Sequence, residues 1–267
     1  MPEISLVQRR HLQQFFVQSI RDHPQNPIVI AEGDSWWAYP IYANVIDHLD
    51  EMVQHRMSLL RLESSGDELI GMLDDGGVGF LRKLMNRHHP DVLLLSGGGN
   101  DIVGPELLTF IAKRTAPFDT AKALATDALD ERFAAMRSAY DRLIAARDAV
   151  APRCTIVTHG YARAIPTGKK ATFIGVSSGP WIKPFLIAQG YTDFSEQQAI
   201  VDALLGRFNT MLDALSGPKF IKVNFRDAIT ADDWSNELHP TRHGFQSCAG
   251  VLLQRLNELM PEKFPVT

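Results

Sequence analysis

The 267-residue chain carries only two cysteines, Cys154 and Cys248. That excludes a disulfide framework and fits a reducing compartment, where a free Cys is usually a small buried hydrophobe. No stretch approaches the ~18 apolar residues of a membrane span. No apolar h-region follows Met1 to Leu6 or the basic pair Arg9 and Arg10, so neither a secretory signal nor a membrane contact is expected, and a cytoplasmic location is. Charge of one sign is also scarce: Lys+Arg 27 against Asp+Glu 31 gives a formal net charge of -4. The most cationic run, Gly168-Lys169-Lys170, is too short to be a basic stripe, so nucleic acid is not an expected partner. Hydrophobic residues make up 45% and charged residues 22%. This ordinary globular balance excludes a disordered, collagenous or coiled-coil chain. At this size folding buries roughly 70–75% of the unfolded chain's surface, and a norm of ~150 residues per domain leaves room for one large α/β domain or two small ones.

Several chemical signatures are missing too. The α/β-hydrolase elbow requires G-x-S-x-G, and Trp37 stands where its last glycine belongs. Gly97, Gly99 and Ile102 do not complete G-x-G-x-x-G, and G-x-x-x-x-G-K-[ST] does not occur. His88, His89, His159 and His243 form no ligand set at zinc spacing. No metal and no cofactor is therefore expected. Internal repeats and low-complexity segments are absent, and nothing in the pattern speaks to oligomeric state.

What is present is a series of short apolar runs separated by helical patterns. Pro27 to Ala31, Met57 to Leu62, Asp91 to Ser96, Thr155 to Thr158 and Phe220 to Val223 read as five strands. The apolar-throughout ones suit strands buried on both faces of a parallel sheet. Leu129, Phe133, Met136, Tyr140 and Leu143 fall on one face of a 3.6-period helix that should end before Pro152. Phe245, Cys248, Leu252 and Leu256 repeat the pattern, with Thr241 as N-cap. Strand–helix alternation predicts a doubly wound, five-stranded parallel sheet flanked by helices, a flavodoxin-like three-layer sandwich. Ligands bind such sheets beyond the carboxyl ends of the strands. The segment 166–194, rich in Gly and Pro and carrying Trp181 and Phe185, breaks the alternation and reads as an ordered insertion or a lid.

Three strand ends carry chemistry. Glu32-Gly33-Asp34-Ser35-Trp36-Trp37 follows the first strand; Ser35 there is either a helix N-cap or a nucleophile. Ser96-Gly97-Gly98-Gly99-Asn100-Asp101 follows the third. Its Asn100 either holds its own backbone in a turn or offers an amide N–H to an oxyanion. Asp232 to Thr241 follows the fifth and contains His239, a surface histidine or a general base. Trp36, Trp37 and Tyr39 are either core aromatics or one wall of a substrate pocket, with Ile102 and Val103 as the opposite wall.

Gly-Asp-Ser, Gly-x-Asn-Asp and His-Pro after three different strands, in that order, resemble the SGNH hydrolase superfamily, the GDSL esterases and lipases. The resemblance runs from about Pro27 to the C-terminal helix and implies one domain over 1–267. It implies ester hydrolysis through an acyl-enzyme at Ser35, with His239 as base and an oxyanion hole from Asn100 and the backbone of Gly66 and Ser35. The implied partner is a small ester; the bulky Trp36 and Trp37 beside Ser35, with no long apolar lid evident outside 166–194, point to short or medium acyl chains. One position departs: the family has Asp three residues before the histidine, and this chain has Asn236. Three readings follow: a Ser35–His239 dyad oriented by Asn236, an acid from Asp233 or Asp232, or a weak enzyme. Glu237 is set aside because a side chain two residues from His239 points away from it. A non-catalytic carbohydrate- or ester-binding module on the same fold is the alternative.

Overall fold

The structure, a computed structural model, describes residues 6–173 and 175–266. Its centre is a five-stranded, all-parallel sheet built from β1 (Ile28–Gly33), β2 (Ser58–Arg61), β3 (Val92–Ser96), β4 (Thr155–Gly160) and, after the short antiparallel pair β5 (Ala171–Phe173) and β6 (Val176–Ser178), β7 (Phe220–Asn224). The strand order is β2-β1-β3-β4-β7. All five expected strands form. β3 and β4 are buried along their whole length, which is why their sequences are apolar without alternation.

Helices Val45–Met52 and Arg242–Leu259 pack against each other, as do Asp75–His88 and Asp127–Val150. Together with the sheet these layers make the expected three-layer α/β sandwich. Helix Asp127–Val150 buries Leu129, Phe133, Met136, Tyr140 and Leu143, the stripe read from their spacing. Helix Arg242–Leu259 starts where Thr241 accepts the Gly244 N–H on its side chain. The 166–194 segment is not bare loop. It contains the β5–β6 pair and the short helix Lys183–Ala188, and helix Phe194–Asp213 follows it. Among the described residues, no helix is long and apolar enough to cross a membrane.

The chain runs from β1 outward to β2 and then returns to the other side of β1 as β3. The sheet therefore reverses its winding between β1 and β3, and a crevice opens at their carboxyl ends. Ser35 lies two residues beyond β1 and Asn100 four beyond β3, so both reach that crevice.

Candidate active site

Gly33 closes β1 against β3 so tightly that a Cβ on it would lie 2.7 to 2.8 Å from atoms of Ser96. Glycine is required for that approach. A tight turn follows, in which the Trp37 and Ala38 N–H groups donate to the Asp34 carbonyl at 3.1 and 3.0 Å. The Asp34 carboxylate accepts the Trp36 N–H at 3.0 Å. Asp34 thus does the capping, and the Ser35 hydroxyl instead meets His239 Nε2 at 2.7 Å.

The far side of the His239 ring is held by Asn236, which is 1% exposed. Asn236 Oδ1 lies 3.0 Å from His239 Nδ1 and accepts the backbone N–H groups of Leu238 and His239, each at 3.0 Å. Its Nδ2 donates to the Tyr39 hydroxyl at 3.2 Å. Two backbone amides can only donate, so the oxygen of Asn236 must face them, and with them the ring. Nδ1 then carries the proton and Nε2 is left as acceptor for the Ser35 hydroxyl. Tyr39 stacks on the imidazole at 4.5 Å between centroids. Burial pushes the His239 pKa down to about 3, so the ring is neutral at ordinary pH.

The two aspartates considered for this place are engaged elsewhere or open to solvent. Asp233 caps Thr230 through its backbone N–H and hydroxyl, at 2.9 and 2.8 Å, and pairs with His243 at 2.9 Å. Asp232 is exposed. The histidine loop is fastened to the serine turn by Trp36 Nε1, which donates to the Leu238 carbonyl at 3.1 Å. Tyr42 adds a second tie, donating to the Pro240 carbonyl at 2.6 Å.

Asn100 does not hold its own backbone. Its Nδ2 donates to the Asp67 carbonyl at 2.9 Å, which uses one of two N–H bonds. Asp101 caps the neighbouring helix start through the Leu69 and Ile70 N–H groups at 2.7 and 3.1 Å, and burial pushes its pKa up to about 6. The Asn100-Asp101 pair therefore ties the end of β3 to the loop after β2, where Gly66 sits exposed with φ +94°.

Beneath the serine turn lies a buried polar network. The Asp34 carboxylate, its pKa raised by burial, accepts hydrogen bonds from Ser96 Oγ at 2.5 Å and from the Tyr161 hydroxyl. Tyr161 in turn accepts the Gly99 N–H at 3.1 Å. Because Ser96 gives its proton to Asp34, it can only accept from His159 Nε2, at 2.8 Å. Burial pushes the His159 pKa down to about 3.

Ser35 and Asn100 open onto a pocket with almost wholly apolar walls. Ile102, Val103 and Leu107 come from the segment after β3, Ile182 and Leu186 from the 166–194 segment, and Ile200, Val201, Leu204 and Leu205 from helix Phe194–Asp213. Trp36, Tyr161 and Trp234 are its aromatic lining. Trp37 is not part of it. Its ring packs in the core 4.7 Å from that of His159, and its carbonyl accepts from Arg61.

No protein-family model and no curated protein matches the sequence. Solved structures do match. A lipase from a goat rumen metagenome superposes with a TM-score of 0.54 at 15% identity, over 85% of this chain and 96% of its own. An extracellular lipase from Streptomyces rimosus gives 0.51 at 16%, over 85% and 99%. A carbohydrate esterase family 3 protein from Talaromyces cellulolyticus gives 0.50 at 13%, over 88% and 99%. The fold is that of the SGNH hydrolases.

On this SGNH fold the crevice gathers Ser35, His239, Asn236 and Asn100, with Trp36 and Ile102 in the adjoining wall. The pocket residues of helix Phe194–Asp213 escaped sequence reading, because an apolar helical stripe reads as core until its partner surface is known. Tyr161 and His159 escaped as well, since the end of β4 carries no glycine-rich signal. Among the described residues, no cluster of three or more His, Cys, Asp or Glu side chains is placed to hold a metal ion.

Proposed function

We propose that the protein is a serine carboxylic ester hydrolase of the SGNH type, acting through an acyl-enzyme on esters of short to medium acyl chains. The observation that carries this reading is the 2.7 Å contact between Ser35 Oγ and a neutral, tautomer-fixed His239 at the mouth of an apolar pocket. Ser35 Oγ attacks the ester carbonyl carbon while His239 Nε2 takes its proton. The tetrahedral intermediate collapses, the bond to the alcohol oxygen breaks, and His239 returns the proton to the leaving alcohol. Water then repeats the cycle on the acyl-enzyme. The free N–H of Asn100 and the backbone N–H groups of Ser35 and Gly66 are the oxyanion donors in this reading. Asn236 holds the ring by a neutral hydrogen bond, without a carboxylate.

Apolar walls favour an alkyl acyl group over a polar one, and the rings of Trp36, Tyr161 and Trp234 support an upper limit on its length. Two free, buried cysteines support a reducing, cytoplasmic location. A fluorophosphonate probe should add one label per chain, on Ser35, and the protein should release p-nitrophenol from its butyrate ester. Ser35→Ala should abolish both. Labelling elsewhere, or hydrolysis that survives Ser35→Ala, rejects the assignment. An unlabelled protein that binds esters without turnover would be the binding module instead.

A further inference from the structure

Two residues before His239, the Glu237 side chain points away from the imidazole and is fully buried, with 0% of the residue exposed. Its charge is met by four backbone N–H groups, all from the 166–194 segment. Oε1 accepts from Gly168 at 2.8 Å and Lys183 at 3.0 Å; Oε2 accepts from Trp181 at 2.6 Å and Ile182 at 2.8 Å. A carboxylate lodged in a nest of backbone amides is a strong, charge-assisted anchor. The residues it anchors belong to the site. Ile182 lines the apolar pocket, and the half-buried Trp181 meets the His239 ring edge to face at 5.6 Å. Trp181 is held from its other end as well, where its carbonyl accepts the Gly104 N–H at 2.8 Å. Its ring covers Gly179, at φ +84°, where a Cβ would lie 2.5 Å from the indole.

We propose that Glu237 is a positioning residue that clamps Gly168 and residues 181–183 to the histidine loop, and so sets the pocket wall at Ile182 and the Trp181 ring beside His239. The assignment rests on the esterase reading of the site. It makes this part of the 166–194 segment a fixed wall, not a free lid, and makes the fit of the substrate depend on a carboxylate that never touches it.

The test is Glu237→Gln, which keeps the shape. An amide offers one oxygen, so one pair of N–H donors keeps its acceptor while the other pair faces an NH₂ group. Hydrogen–deuterium exchange should rise at least ~10-fold at whichever pair loses its acceptor, Gly168 with Lys183 or Trp181 with Ile182. The kcat/KM for butyrate and hexanoate esters should fall ~10–100-fold, mostly through KM. Phosphonylation of Ser35 by a small fluorophosphonate should change by less than ~3-fold, because the hydrogen bonds joining Ser35, His239 and Asn236 use none of the four amides that Glu237 holds. Glu237→Asp, which is charged but shorter, should recover part of the exchange protection and part of the KM. Unchanged exchange at 181–183 would overturn the clamp. So would Ser35 labelling that falls in step with ester turnover, which would make Glu237 a support of the histidine loop alone. The exchange measurement needs no activity. A wild-type protein that hydrolyses no ester would thus sink the esterase reading while the clamp is still judged on its own.

Discussion

Replacing Asn236 by Asp tests the least usual feature of the site. The side chains are isosteric, and each partner of Asn236 tolerates the change. The carboxylate accepts the same N–H groups from Leu238, His239 and the His239 ring, all now at 3.0 Å. The Tyr39 hydroxyl, which now accepts from Nδ2 at 3.2 Å, can turn its own proton to the new oxygen. What changes is charge. A carboxylate with its centre ~4 Å from an imidazolium is worth about 4 kcal/mol at an effective dielectric of ~20, or about 3 pKa units at 1.36 kcal/mol each. Desolvating the new carboxylate takes back part of that. His239 starts from about 3 because burial disfavours its charged form, so Asn236→Asp should bring it to roughly 5–6. A base with a higher pKa stays protonated, and inactive, up to a higher pH. The acidic limb of kcat/KM should therefore lie below pH 4 in the wild type and move up by ~2 units in the variant. At pH 8, where both rings are neutral, activity should stay equal or rise by up to ~100-fold, since the imidazolium formed in the transition state gains a counter-charge. Butyrate release, quenched and quantified by chromatography from pH 4 to 9, reads both effects, the wild type staying flat down to pH 4 while the variant falls off below pH ~6, with residual activity at pH 8 checking for acid inactivation. An unmoved limb would mean that another acid already serves His239, and the assignment of Asn236 would be wrong.

Other expectations follow from single contacts. Asn236→Ala strands three donors around a buried cavity and should lower kcat/KM by at least ~10-fold, though less than His239→Ala does, as measured on the same butyrate ester. Asn100→Ala should cost ~10²–10³ in kcat with little change in KM if its free N–H serves the oxyanion; a loss confined to KM would argue against that. Leu204→Trp should fill the pocket and cut turnover of octanoate esters by ~10-fold or more while sparing acetate, and a uniform loss across chain lengths would detach the pocket from acyl binding. His159, buried with its pKa pushed down to about 3, stays neutral in the folded state while the unfolded chain protonates it below ~6.5. Stability should thus fall with pH from ~6.5 towards 3 at about 1.4 kcal/mol per unit from this residue. His159→Phe should flatten urea-unfolding free energies between pH 6.5 and 4.5 by about 3 kcal/mol, and an unchanged slope would refute the cause.

The sheet was legible because its inner strands β3 and β4 are buried on both faces, which leaves apolar runs such as Val92 to Leu95 that no other element explains. Ser35, Asn100 and His239 were legible as a set because strand ends of a doubly wound sheet converge on one edge. Trp37 shows the limit of that reasoning. It adjoins the nucleophile in sequence, yet its ring turns into the core against His159, since adjacent side chains in a tight turn diverge. The pocket was hidden for the opposite reason. Ile182 and Leu204 are far from the serine in sequence, and burial against a ligand leaves the same pattern as burial against a sheet.

The histidine loop shows how one short stretch carries several unrelated demands. The Ser235 N–H donates to the His239 carbonyl at 3.0 Å, Trp234 bridges Pro240, and the Thr241 N–H donates to the Asp233 carbonyl at 2.6 Å. The stretch is therefore closed on itself, and its side chains radiate. Asn236 turns in to hold the ring, Glu237 turns out to the 168–183 segment, Leu238 lines the pocket, and His239 faces the serine. The rule that neighbours at two residues diverge correctly removed Glu237 from the imidazole. It could not say where the side chain goes, because four backbone amides from a segment more than fifty residues upstream leave no mark on the sequence around it. A buried carboxylate whose hydrogen-bond donors are all backbone amides thus becomes intelligible only when the chain's own backbone is counted as its partner.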